Sequence, residues 1–188
     1  MVAESCCFIG HRQIQVSNEL IARLNYTVEK LIENGVRRFI FGSRSDFNDL
    51  CHEVVTKFKE RYPDIIRVGY TTRSEMVFLE EEKEKAIRIF SDKIKTIRFC
   101  EESYYPEKLY FSGKGSYAER NCIMIDDSDY CVFYYDKTYK PEKKLISRKS
   151  VGGIYTSGNS GTAFAYKYAE KKKKQILNVF GDTFDYCT

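Results

Sequence analysis

The chain has 188 residues, a formal net charge of +4, 43% hydrophobic side chains and 31% charged ones. That composition describes a soluble globular domain long enough to bury a real core, and the charge is too mild for the basic footprint of a dedicated nucleic-acid binder. No stretch approaches the length of a membrane span, and Met1-Val2-Ala3-Glu4-Ser5 shows no basic leader before an apolar run. A single cytoplasmic domain over residues 1–188 is the expectation.

Cys6-Cys7-Phe8-Ile9-Gly10 is a short apolar run closed by glycine, the pattern of a buried strand, and His11-Arg12 follows at its end. Leu20, Ile21, Leu24, Val28, Leu31 and Ile32 then recur at helical spacing, with Ser17 as the N-cap and Asn34-Gly35 as the stop. Arg38-Phe39-Ile40-Phe41 reads as a second strand, followed by the turn Gly42-Ser43-Arg44-Ser45. A second helix carries Leu50, Val54, Val55 and Phe58 inward and ends before Pro63; Ile65 to Tyr70 is the third strand. Alternating strands and helices at this spacing predict a parallel sheet, and all-apolar strands predict that both of its faces are covered.

Beyond Tyr70 the pattern thins. Glu80 to Phe90 is charged and helical in spacing, Lys95 to Phe99 reads as a strand, and Tyr104 to Gly115 reads as an aromatic-rich extended loop. Tyr117 to Asp127 is helical, with Cys122, Ile123 and Ile125 as its apolar members. Tyr130 to Tyr135 is a strong strand. Lys137 to Tyr155 is basic and loop-like, suited to a solvated surface or to attracting an anion. The small-residue loop Ser157-Gly158-Asn159-Ser160-Gly161-Thr162 then opens a helix, and Ile176 to Phe180 is the last strand.

Seven cysteines occur without any C-x-x-C pair, and Cys6, Cys7, Cys51, Cys100, Cys122 and Cys131 mostly lie in apolar segments. They read as reduced structural thiols. With His11 and His52 the only histidines, a histidine-based metal site is poorly supplied, and neither metal nor cofactor is expected.

Three features fall at the carboxyl ends of predicted strands: Gly10-His11-Arg12, Gly42-Ser43-Arg44, and the loop ending in Ser160-Gly161-Thr162. In an open parallel sheet that edge is where ligands bind. A glycine loop running into a helix offers backbone N–H groups at the positive end of the helix dipole, which suits phosphate. Arg12, Arg44 and Arg120 are arginines that can pair with such an anion. The convergence points to a pocket for a nucleotide or nucleoside phosphate.

These residues also carry a family resemblance. Cys7-Phe8-Ile9-Gly10-His11-Arg12, Phe41-Gly42-Ser43 with Phe47-Asn48-Asp49-Leu50, Glu119-Arg120-Asn121 with Met124-Ile125-Asp126, and Ser160-Gly161-Thr162 resemble the SLOG superfamily in its YpsA-like branch, from about Cys6 to Phe180. The resemblance implies an α/β fold, a Rossmann-like three-layer sandwich with a mostly parallel central sheet, that binds nucleotides or molecules derived from them. Members of the superfamily include sensors of ADP-ribose-type signals, a DNA-processing protein, and the LOG phosphoribohydrolases. The LOG pattern P-G-G-x-G-T-x-x-E places a catalytic glutamate where this chain has Ala165, while Arg120 and Met124 fit its arginine side.

The expected ligand set is therefore Gly10, His11, Arg12, Gly42, Ser43, Arg44, Asp49, Arg120, Asn121, Ser160, Gly161 and Thr162. The expected ligand is a small nucleotide-type molecule: ADP-ribose, an NAD-related compound or a nucleoside phosphate, bound with little or no turnover. One alternative is an N-glycosidic hydrolase of nucleoside 5′-monophosphates using Glu119 and Arg120; another is a module for single-stranded DNA or a protein partner. A homo-oligomer stays open, a membrane partner is excluded, and nucleic acid is not expected.

Overall fold

The computed structural model describes residues 4–43, 45–72, 75, 99–105, 114–139 and 160–181. Six strands form one sheet: β1 (Glu4–Gly10), β2 (Val36–Phe41), β3 (Ile66–Tyr70), β4 (Glu102–Tyr104), β5 (Tyr130–Tyr134) and β6 (Gln175–Asn178). Their order is β4-β3-β2-β1-β5-β6, and every neighbouring pair is parallel. The helices are α1 (Asn18–Glu33), α2 (Asp46–Arg61), α3 (Lys114–Asp126) and α4 (Gly161–Lys171).

A sheet covered on both faces needs apolar residues on both sides of each strand, and β1 is buried without a break from Ser5 to Ile9. Its side chains alternate. Cys6 and Phe8 join the core under α1 and α2 with Phe39, Phe41 and Val132. Cys7 and Ile9 join the opposite core under α3 and α4 with Ile40, Val68, Cys131 and Phe133. In the first of these cores Phe8 stacks on Phe41 with centroids 5.1 Å apart. Truncating such a ring to alanine costs about 3–5 kcal/mol. The result is the three-layer α/β arrangement expected from the sequence.

Local signals hold where they are strong. Ser17 Oγ accepts the Leu20 N–H at 3.2 Å, and α1 buries Leu20, Leu24, Val28, Leu31 and Ile32 along one stripe before Asn34 caps it. Boundaries move by a few residues: β2 starts at Val36 and α3 at Lys114, both earlier than expected. β4 is an addition. It falls between the expected 95–99 strand and the expected loop from Tyr104, overlapping that loop at Tyr104 alone, and all three of its residues are exposed. It pairs with β3, Val68 lying opposite Glu102 and Tyr70 opposite Tyr104. Ion pairs beside it run from Arg38 of β2 to Glu102 at 2.8 Å and from Arg67 of β3 to the preceding Glu101 at 2.5 Å. The expected 80–90 helix lies outside the described residues. Of the expected 95–99 strand only Phe99 is described, and it sits exposed in a turn.

The strand order reverses once along the sheet. The chain adds β2, β3 and β4 on one side of β1, then crosses to add β5 and β6 on the other. In open parallel sheets a reversal of this kind, here between β1 and β5, is the place outside the strands' carboxyl ends where ligands bind.

Candidate functional site

At that switch point β1 runs out alongside β5, with Gly10 opposite Tyr134. His11 comes next and is 2% exposed. The Asp136 N–H donates to His11 Nε2 at 3.1 Å, which assigns the ring proton to Nδ1. Tyr139 stacks on the ring at 4.0 Å, and Tyr134 stands edge-on at 6.1 Å. His11 Nδ1 is buried with no hydrogen-bond partner among the described residues. A buried donor left in that state costs about 1–3 kcal/mol. Burial pushes the His11 pKa down, partly opposed by the nearby Asp136 carboxylate and its backbone.

The backbone around His11 is braced from α2. Ser45 Oγ donates to the His11 carbonyl at 3.0 Å, and the Asp46 N–H to the Arg12 carbonyl at 2.9 Å. Arg12 itself is exposed. Gly10 has a packing reason for being glycine: a Cβ there would lie 2.6 Å from the Phe47 Cβ and against its ring. Asp49 sits half-buried in the first turn of α2.

One strand over, the end of β2 carries a buried polar cluster. The Gly42 N–H donates to Asn48 Oδ1 at 2.9 Å. A Cβ on Gly42 would fall 2.6 Å from Arg120 Nη2, because the guanidinium rests where that side chain would go. Arg120 is 4% exposed; its Nη1 donates to Ser43 Oγ at 2.7 Å and its Nη2 to Asn121 Oδ1 at 3.1 Å. Tyr117 packs beneath it, 5.2 Å from ring centroid to guanidinium carbon. Ser43 in turn donates through a short bond to Glu75 Oε1, and the Thr72 N–H donates to Glu75 Oε2 at 2.8 Å. Arg120 Nη1 lies 3.8 Å from Glu75 Oε2.

Donor rules fix the direction of this chain. A guanidinium cannot accept, so the hydroxyl proton of Ser43 points at Glu75. The buried positive charge is met by a buried carboxylate; removing one partner from such a pair costs about 3–5 kcal/mol. Glu75 is the residue that sequence reasoning missed, since that reasoning weighed Asp49 and Glu119 as its acidic candidates. The available signal was its place five residues past the end of β3, at the same sheet edge as the other features. Glu119 is half-buried on α3 beside Arg120 in sequence, and a carboxylate that meets the guanidinium is that of Glu75.

The third feature is the start of α4. Ser160 Oγ accepts the Ala163 N–H at 3.0 Å, and the Ser160 carbonyl accepts from Phe164 at 3.1 Å. Thr162 is buried and Gly161 half-buried. Ala165 is fully buried in the core under α3 and α4, so the position of the LOG glutamate holds only a methyl group packed inward. Residues 157–159 and Arg44 lie outside the described residues. Gly10 to Arg12, Gly42 to Ser43 with Arg120 and Asn121, and Ser160 to Thr162 thus follow the ends of β1, β2 and β5. Among the described residues there is no group of three or more His, Cys, Asp or Glu side chains able to hold a metal, and no helix is long and apolar enough to cross a membrane.

Comparison with known proteins bears on family and fold. No curated protein matches the sequence. Among solved structures the chain is similar to the DNA processing protein A of Helicobacter pylori, described for its single-stranded DNA binding mode, at 15% identity and a TM-score of 0.49. The match covers 93% of this chain and 64% of that one, so the chain spans less than two thirds of that protein. One expectation is corrected beside it. Nucleic acid was set aside on the mild net charge alone, and net charge does not report how charge is distributed over a surface, so that exclusion does not stand. The family YpsA, described as the YspA SLOG family, matches residues 10–152, most of the chain. With that match over a parallel α/β sheet, the chain belongs to the YspA SLOG family.

Proposed function

We propose that this protein binds a nucleotide-type ligand, a nucleoside phosphate or an ADP-ribose-like molecule, at the carboxyl edge of its sheet, with little or no turnover. The observation that carries the reading is the reversal between β1 and β5, with the capped N-terminus of α4 following β5. A switch point of that kind, with a helix dipole beside it, favours a bound phosphate. A binding role, such as that of a sensor, fits the carboxylates. Cleavage of an N-glycosidic bond needs a carboxylate at the ribose. Ala165 supplies none, and Glu75 is buried and already accepts from Ser43 and Thr72.

The test is calorimetric titration with AMP, ADP-ribose, NAD and a short oligothymidylate, on the parent and on Gly161→Val. The oligothymidylate arm separates a free nucleotide from the units of a single strand, whose backbone binding weakens steeply with salt. Binding of a small nucleotide by the parent, lost in Gly161→Val with the fold intact, is the expected result. Equal binding by Gly161→Val refutes the role of α4. Release of free base over many turnovers, lost in Glu119→Gln or Glu75→Gln, would replace the binding reading with the hydrolase.

A further inference from the structure

His11 has one ring nitrogen committed and the other not. The Asp136 amide can only donate, so Nε2 must accept and the proton must sit on Nδ1. The two nitrogens diverge across the ring, so the Nδ1–H faces away from that amide. It is buried, and none of the described residues accepts from it. Its neighbours do not cure the defect. Tyr139 covers one face of the ring, and Tyr134 and Tyr135 approach at 6.1 and 6.2 Å, all through aromatic surfaces. Moving the proton to Nε2 would set two N–H donors against each other at Asp136. Protonating the ring would do the same while burying a charge.

We infer that His11 is a ligand contact, an uncharged donor that gives its Nδ1–H to a phosphate oxygen of the nucleotide-type ligand at the β1–β5 switch point. This rests on the proposed function and sharpens it. A phosphate oxygen offers lone pairs only, which matches a ring nitrogen that can donate and cannot accept. His11 therefore selects for an acceptor by hydrogen bonding alone, without adding positive charge to the site.

The experiment is nitrogen-15 spectroscopy of the parent protein, labelled at histidine, with AMP, ADP-ribose, inorganic phosphate and adenosine as probes. The chain has two histidines, so His52→Gln assigns the spectrum. The expected result is a single Nδ1-protonated tautomer for His11, whose proton exchanges more slowly and shifts on adding AMP or ADP-ribose and not on adding adenosine. His11→Asn, whose amide can stand in for Nδ1–H, keeps affinity for AMP within about three-fold, while His11→Gln loses about ten-fold or more. Nucleotide binding that depends on Gly161 yet leaves the His11 signals unmoved overturns this inference and leaves the proposed function standing. Failure of every probe to bind overturns both. The spectroscopic arm uses the parent protein, so it does not depend on either variant folding.

Discussion

Replacing Gly42 with alanine isolates how the Arg120 cluster is held. Gly42 does not adopt the left-handed backbone that only glycine tolerates, so the added methyl meets a steric cost and no backbone one. That methyl would lie 2.6 Å from Arg120 Nη2 and 2.9 Å from Cζ, and about an ångström of displacement restores ordinary contact. The guanidinium cannot move that far and keep its 2.7 Å bond to Ser43, on which the alignment with Glu75 depends. Overpacking alone costs about 1–3 kcal/mol, and full rupture of a buried pair about 3–5 kcal/mol. A loss of about 2–4 kcal/mol is therefore expected, or a melting point lower by roughly 5–15 °C for a chain of this size. Urea denaturation of Gly42→Ala, Arg120→Met and the double variant measures it. In the Arg120→Met background the cost of the methyl should fall below about 1 kcal/mol, since a flexible apolar chain can yield. An equal cost in both backgrounds would refute the reasoning, as would a single variant as stable as the parent.

Acid should expose the Arg67–Glu101 pair. Burial works to raise the Glu101 carboxyl, but hydrogen bonds from Arg67 outweigh it and hold the pKa down at about 2. A depressed carboxylate stabilises the fold above its unfolded pKa of about 4.3, and that contribution is lost as pH falls from there towards 2. Because the pair is partly solvated, about 1 kcal/mol is expected, and Arg67→Ala should flatten the stability profile below pH 4.5. An unchanged acid limb in that variant would count against the pair. The thiols should be inert in the native protein: burial pushes Cys6 and Cys51 well up, and holds Cys100 at about 12 and Cys122 at about 11. A thiol reagent should label Cys6 and Cys51 only on unfolding, and neither reductant nor chelator should move the melting temperature; rapid native labelling at either position, or a drop of many degrees, would overturn that reading.

What the sequence made legible is what local periodicity encodes. The α1 stripe, the Ser17 cap and the apolar strands each follow from residues close in sequence, and together they specify a parallel α/β sheet. What stayed hidden depends on partners far away. β4 has no apolar pattern; it pairs with β3 and is met from β2 by Arg38, which lies 64 residues before Glu102. Glu75 gains its meaning from Ser43, 32 residues earlier, and from Arg120 on α3. The glycines were visible, but not the neighbours that require them: Gly10 and Gly42 were expected as ligand residues, whereas Phe47 and Arg120 occupy the space a side chain would need there. For His11 its place at a strand end was readable, whereas its tautomer depends on an amide 125 residues away.

The position of β1 has a consequence for how the molecule is made. On one side it pairs with β2, about thirty residues on; on the other it pairs with β5, Cys6 lying opposite Tyr130, while the Ser5 N–H and hydroxyl both reach the Asp129 carboxylate across 124 residues. During synthesis β1, β2 and β3 can assemble with α1 and α2 well before β5 emerges. At about 5–20 residues per second, the central strand of the finished protein then spends several seconds as an open edge. That edge carries Cys6, Cys7, Phe8 and Ile9, all buried at the end, so the nascent chain presents an apolar template for other chains until β5 arrives. Truncation anywhere before Tyr130 makes the exposure permanent, and the product should aggregate rather than fold as a smaller domain.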